Sequence, residues 1–114
     1  MIRFLAAILL TFWAQGAAAQ YCTEIRFAHG ASSGEVSGQV ADGMPVCYVF
    51  GAGSGQTARL QLFGSDNTCF TLPNVVDCQA DFSFHTRNQM YEVGIFQLLR
   101  TTGFEYYTLR LTIY

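Results

Sequence analysis

The chain contains no lysine, and charged residues make up only 12% of it. Its cations are six arginines spread singly along the sequence, so no basic patch exists of the kind that nucleic acid or an anionic surface requires. Cys-x-x-Cys and His-x-x-x-His pairs are both missing, and with them the spacings of a zinc site. The glycine-rich run Gly51-Ala52-Gly53-Ser54-Gly55 is not followed by a Gly-Lys-Ser/Thr or by a helical pattern. It therefore reads as a loop and not as a phosphate cradle. Proline occurs only at Pro45 and Pro73, and tryptophan only at Trp13. Beyond the first twenty residues no helical period of useful length appears.

What is present at the start is an export signal. Arg3 supplies a short positive region, Phe4 to Trp13 an apolar run, and Ala17-Ala18-Ala19 a small-residue cleavage site. The run is too short to span a bilayer, which takes ~20 residues. The expectation is a signal peptide over 1–19 and a single domain over 20–114, periplasmic or secreted and without a membrane anchor once the signal is removed. The four cysteines, Cys22, Cys47, Cys69 and Cys78, all lie in that domain. An even count in an exported chain reads as two disulfides. Of three possible connectivities we expect Cys22–Cys47 and Cys69–Cys78, because the latter two flank Pro73-Asn74 and can meet across one hairpin-like loop.

The domain reads as short alternating segments. Thr23 to Ala28 places Ile25 and Phe27 on one face, and Glu35 to Val40 places Val36 and Val40 together with Gly38 between. Val46 to Phe50 is nearly all apolar, as a strand covered on both faces would be. Thr57 to Phe63 alternates, Thr68 to Leu72 stops at Pro73, and Ala80 to Phe84 pairs Phe82 with Phe84. Tyr91 to Leu99 aligns Tyr91, Val93, Ile95 and Gln97, and Glu105 to Ile113 aligns Tyr107, Leu109, Leu111 and Ile113. Seven or eight short strands with turn signals between them predict an all-β sandwich or barrel. The short connections predict antiparallel pairing throughout. Gly38 inside a strand predicts a bulge or a close approach.

Several stretches carry a family likeness. They are Ile25-Arg26-Phe27-Ala28-His29-Gly30-Ala31-Ser32-Ser33, then Ser37-Gly38-Gln39-Val40, then Tyr48-Val49-Phe50-Gly51-Ala52 and Gly55-Gln56. Tyr91-Glu92-Val93, Arg100 and Tyr107 to Ile113 complete it. Together they resemble the bacterial pre-peptidase C-terminal domain superfamily, the fold group that includes periplasmic inhibitors of goose-type (g-type) lysozyme. The resemblance implies an antiparallel β-sandwich of the jelly-roll type. It also implies a binding protein that blocks a muramidase cleft with a loop, its partner a g-type lysozyme or another cell-wall enzyme. Those inhibitors carry Arg-x-x-x-Arg between the last two long strands. Here Arg100-Thr101-Thr102-Gly103-Phe104 keeps the first arginine and replaces the second with Phe104. The segment from Asn67 to Gln89 is also shorter than theirs and carries its own cysteine pair.

The residues themselves give little catalytic chemistry. His29 sits beside Ser32 and Ser33, but a serine–histidine pair needs an orienting carboxylate, for which Glu24 and Glu35 are the nearest in sequence. His85 reads as a hairpin end. Ser65-Asp66-Asn67 lacks the closing glutamate of a calcium loop. We expect no enzyme activity, metal or cofactor. The candidate partner-binding residues are Arg100, Thr101, Thr102, Phe104 and Tyr106, since arginine and aromatic side chains dominate interface hot spots. The second reading is a non-inhibitory envelope or secretion accessory module.

Overall fold

The structure is a computed structural model that describes residues 21–114. The signal expected over 1–19 lies outside the described residues. Nine strands form two sheets. They are β1 (Thr23–Glu24), β2 (Ser33–Val40), β3 (Val46–Ala52), β4 (Thr57–Gly64), β5 (Thr68–Leu72), β6 (Val76–Gln79), β7 (Asp81–His85), β8 (Gln89–Gln97) and β9 (Glu105–Ile113). One sheet runs β1-β3-β8-β5-β6 and the other β2-β9-β4-β7. From β2 to β9 each strand crosses to the opposite sheet, except for the β5–β6 hairpin. This is the jelly-roll path, with β1 added at one edge.

The alternation in the sequence is what builds the core. Phe50, Leu60, Phe70, Leu72, Val93, Ile95, Leu109 and Leu111 are fully buried between the sheets. Each such side chain contributes roughly 1.5–3 kcal/mol relative to exposure. Tyr107 and Tyr48 also point inward, and their hydroxyls hydrogen-bond across the sandwich at 2.7 Å. Burial, and then the bond to Tyr48, push the Tyr107 phenol well above the usual tyrosine range. Gly38 lies opposite Tyr107 in an unbroken register, without a bulge. A Cβ there would meet the Tyr107 hydroxyl at 2.8 Å, so the close approach is that of a side chain.

Four expectations need correction. Pairing is not antiparallel throughout: β1 runs parallel to β3. The crossover that parallel neighbours need is supplied by β2, which lies in the other sheet. The first segment is a strand only over Thr23–Glu24, although Ile25 still donates its N–H to the Val49 carbonyl at 2.9 Å. β3 is covered on one face only, since its outward Cys47 and Val49 are half-buried. Finally, β6 was not anticipated. Its Val-Asp-Cys-Gln is only four residues long and mostly exposed, and the β5–β6 register shifts between Phe70 and Leu72.

Both disulfides form as expected, Cys22–Cys47 and Cys69–Cys78. The first ties β1 to β3, and the second closes the β5–β6 hairpin across the turn at Asn74, which has φ 67°.

Candidate functional site

The loop between β8 and β9, residues 98–104, is held at its base by a polar cluster. Asn67 is the hub. Its side-chain oxygen accepts the Leu99 N–H at 2.9 Å, and its amide donates to the Leu99 carbonyl at 2.9 Å and to Glu105 Oε2 at 3.1 Å. Its backbone carbonyl accepts the Leu98 N–H at 3.0 Å. Ser65 donates to the other Glu105 oxygen and accepts the Asn67 N–H at 2.9 Å. These donors hold the Glu105 carboxyl below the usual glutamate range, the Ser65 hydroxyl contributing most and the Asn67 amide next. From β8, Gln97 donates to Thr101 Oγ1 and to the Gly103 carbonyl, each at 3.1 Å. This capture explains why β8 ends at Gln97 and not at Leu99. The Leu98 N–H makes a last backbone bond to Asn67, and the backbone groups of Leu99 then bond to the Asn67 side chain instead of continuing the ladder.

On this base the loop is open to solvent. The Arg100 side chain is 88% exposed, and its Nε lies 3.5 Å from Asp42 Oδ1 in the β2–β3 loop. An ion pair so exposed is worth little, so the guanidinium is held loosely. Thr101, Thr102 and Gly103 are exposed, as is Phe104 at 58%. Tyr106 is exposed as well, but it lies off the loop. It is outward on β9 opposite Gln39, on the outer face of the four-stranded sheet. The structure thus brings Arg100, Thr101, Thr102 and Phe104 together on one loop and separates Tyr106 from them. Asp42, Gln97 and Glu105 were not named as site residues in the sequence, and Asn67 was weighed there only as part of a calcium loop. The one available signal was the Ser65-Asp66-Asn67 turn. The acid that completes it, Glu105, comes from a distant strand and accepts hydrogen bonds there.

The other candidates fall apart as chemistry. His29 is exposed in a turn beside Gly30 (φ 81°). Glu24 pairs with Arg26 at 3.1 Å and Glu35 with Arg110 at 2.7 Å, so neither orients it. His85 Nδ1 lies 3.4 Å from Thr57 Oγ1 across a β4–β7 pair. Cys22, Cys47 and Glu92 converge, but the two sulfurs are joined and leave no thiolate for a metal. The glycine-rich run is a loop only in part: Gly51 and Ala52 are paired in β3, and the turn from Gly53 to Gln56 leads into strand β4 and closes on itself, with Gln56 Oε1 accepting the Gly53 N–H at 2.7 Å. A groove of about 660 Å³ at the opposite end of the sandwich, between Phe27, Gln56, Asn88 and Met90, is lined by no ionisable side chain.

Comparison with solved structures is decisive for the fold. PliG of Aeromonas hydrophila, a periplasmic lysozyme inhibitor of g-type lysozyme, superposes with a TM-score of 0.70 at 20% identity, over 82% of this chain and 96% of its own. The fold is that of the PliG inhibitors. Salmonella Typhimurium PliG gives 0.67 at 17% identity, over 84% of this chain and 100% of that one. The pre-peptidase C-terminal domain of a Bacillus anthracis collagenase gives 0.59 at 13% identity, over 84% and 97%. These identities establish a shared fold and nothing finer. No protein-family model matches the chain, and no curated protein matches it in sequence.

Proposed function

We propose that the chain is a periplasmic binding protein that inhibits a g-type lysozyme by placing the 98–104 loop in the muramidase cleft. The observation that carries this reading is the exposed Arg100 on a loop anchored at both ends, on the fold of the PliG inhibitors. Muramidase clefts carry carboxylates flanking the scissile bond. A guanidinium makes paired, charge-assisted hydrogen bonds to such a group. The contact with Asp42 occupies only Nε and leaves the two terminal amino groups for a partner. Thr101, Thr102 and Gly103 are small enough to enter a cleft, and Phe104 provides apolar contact at its rim. Because Phe104 stands where PliG-like inhibitors carry a second arginine, the affinity rests on Arg100.

The test is a cell-wall lysis assay with g-type, c-type and i-type lysozymes, using the wild type and Arg100→Ala. Inhibition of the g-type alone, reduced about tenfold or more in the variant, is expected for a hot-spot arginine. Equal inhibition by Arg100→Ala, or none by the wild type, sinks the reading and leaves the accessory module in its place.

A further inference from the structure

We propose that the outer face of the β2-β9-β4-β7 sheet is a binding platform for a neutral oligosaccharide, centred on Tyr106. The proposal uses a different surface from the 98–104 loop and does not depend on the inhibitor reading.

Three observations lead there. The first is exposed aromatic area where none is needed for folding. Tyr106 is 67% exposed on β9, and Phe63 is 41% exposed on β4. Phe63 pairs with Thr108 in the ladder, so Tyr106, two residues earlier and on the same face, is its diagonal neighbour. Such neighbours lie about 7–8 Å apart, and because Arg110 lies over the Phe63 ring, Tyr106 is the ring on which a ligand would stack. The second is the polar surround. Gln39 stands opposite Tyr106, and the Ser37 and Thr108 hydroxyls meet at 2.8 Å. An open groove of about 450 Å³ runs along Tyr106 between these groups, and no ionisable group other than the tyrosine phenols lines it. The third is that the charges on this face cancel within it. Arg110 bonds Glu35 at 2.7 Å and lies over the Phe63 ring at 4.8 Å, and Arg59 makes a two-pronged pair with Asp81 at 3.0 and 2.7 Å.

The chemistry these groups would recognise is that of a sugar. The apolar C–H face of a pyranose packs on an aromatic ring, while its hydroxyls exchange hydrogen bonds with neutral amides and hydroxyls that fix its orientation. An anionic ligand would find no net positive charge on this face, since each of its arginines lies beside a carboxylate that would repel the ligand. A protein partner would be expected to use a broader apolar core than two separated rings.

The experiment is an NMR titration of the processed chain, residues 20–114, with cellotetraose, maltotetraose and the N-acetylglucosamine tetramer. An anionic oligogalacturonate serves as the charged control. The expected result is saturable shifts at Gln39, Phe63, Tyr106 and Thr108 with at least one neutral sugar. That binding should be weakened about tenfold by Tyr106→Ala, and circular dichroism should confirm that the variant is folded. Gln39→Ala, which removes one amide from the rim, should weaken it less. The three neutral sugars distinguish which glycan class is read. The proposal is overturned if no neutral sugar gives saturable shifts at millimolar concentration. It also fails if only the anionic control binds, if the shifts fall outside this face, or if folded Tyr106→Ala binds as the wild type does.

Discussion

At the residue scale, the decisive group at the loop base is the Glu105 carboxylate. Its folded-state pKa is depressed by donors from Ser65 and Asn67. Its contribution is therefore present above the unfolded glutamate value and is lost as pH falls through the lower folded value. We expect the 98–104 loop to stay anchored at neutral pH and to loosen only in acid, below the ordinary glutamate range. Carboxyl NMR of Glu105, read beside hydrogen exchange at the Leu99 amide, measures this directly. A Glu105 that titrates at or above the ordinary value refutes it. Asn67→Ala probes the same hub at neutral pH. It strips the loop of three side-chain hydrogen bonds and should speed exchange at Leu99 and weaken inhibition, while the core stays protected.

At the element scale, the disulfides hold elements that lack packing of their own. β1 has two exposed residues in its ladder, and β6 follows a register shift, so neither would be expected to persist on local propensity. Cys22–Cys47 closes 25 residues and Cys69–Cys78 closes 9. Loop-closure entropy assigns them ~3.5 and ~2.6 kcal/mol. Replacing each pair with alanines should therefore cost more for the first than for the second in urea unfolding. The ordering would be wrong if the Cys69–Cys78 variant were the less stable. Losing Cys22–Cys47 should also release β1 and expose the β3 edge, which amide exchange at Val49 would report.

At the scale of the whole molecule, the two sheets are locked by one polar contact through an apolar core, Tyr48 to Tyr107. Gly38 makes room for it. Gly38→Ala should cost about 1–3 kcal/mol by overpacking against the Tyr107 ring. Tyr107→Phe should cost about 1–3 kcal/mol by leaving the Tyr48 hydroxyl buried and unpaired. Since the alanine methyl collides with the very hydroxyl that Tyr107→Phe removes, the double variant should lose less than the sum. Strict additivity in thermal or urea unfolding would show that Gly38 serves some other purpose.

The sequence alone determined which residues are inside. A period of two is a property of the extended chain, so Leu60, Val93, Ile95, Leu109 and Leu111 could be assigned inward before any strand was paired. The cysteine count and the Pro73-Asn74 turn likewise foretold both disulfides. Tertiary structure decided whatever depends on residues far apart in the chain. It set β1 parallel to β3, because β2 detours through the other sheet. It brought Ser65, Asn67 and Glu105 together from two strand ends, and so fixed where β8 stops and how the Arg100 loop is held. It also turned Tyr106 away from that loop onto a sheet face whose neighbours, Gln39 and Phe63, come from strands on either side. Alternation tells which way a side chain points, and only strand pairing tells what it meets there.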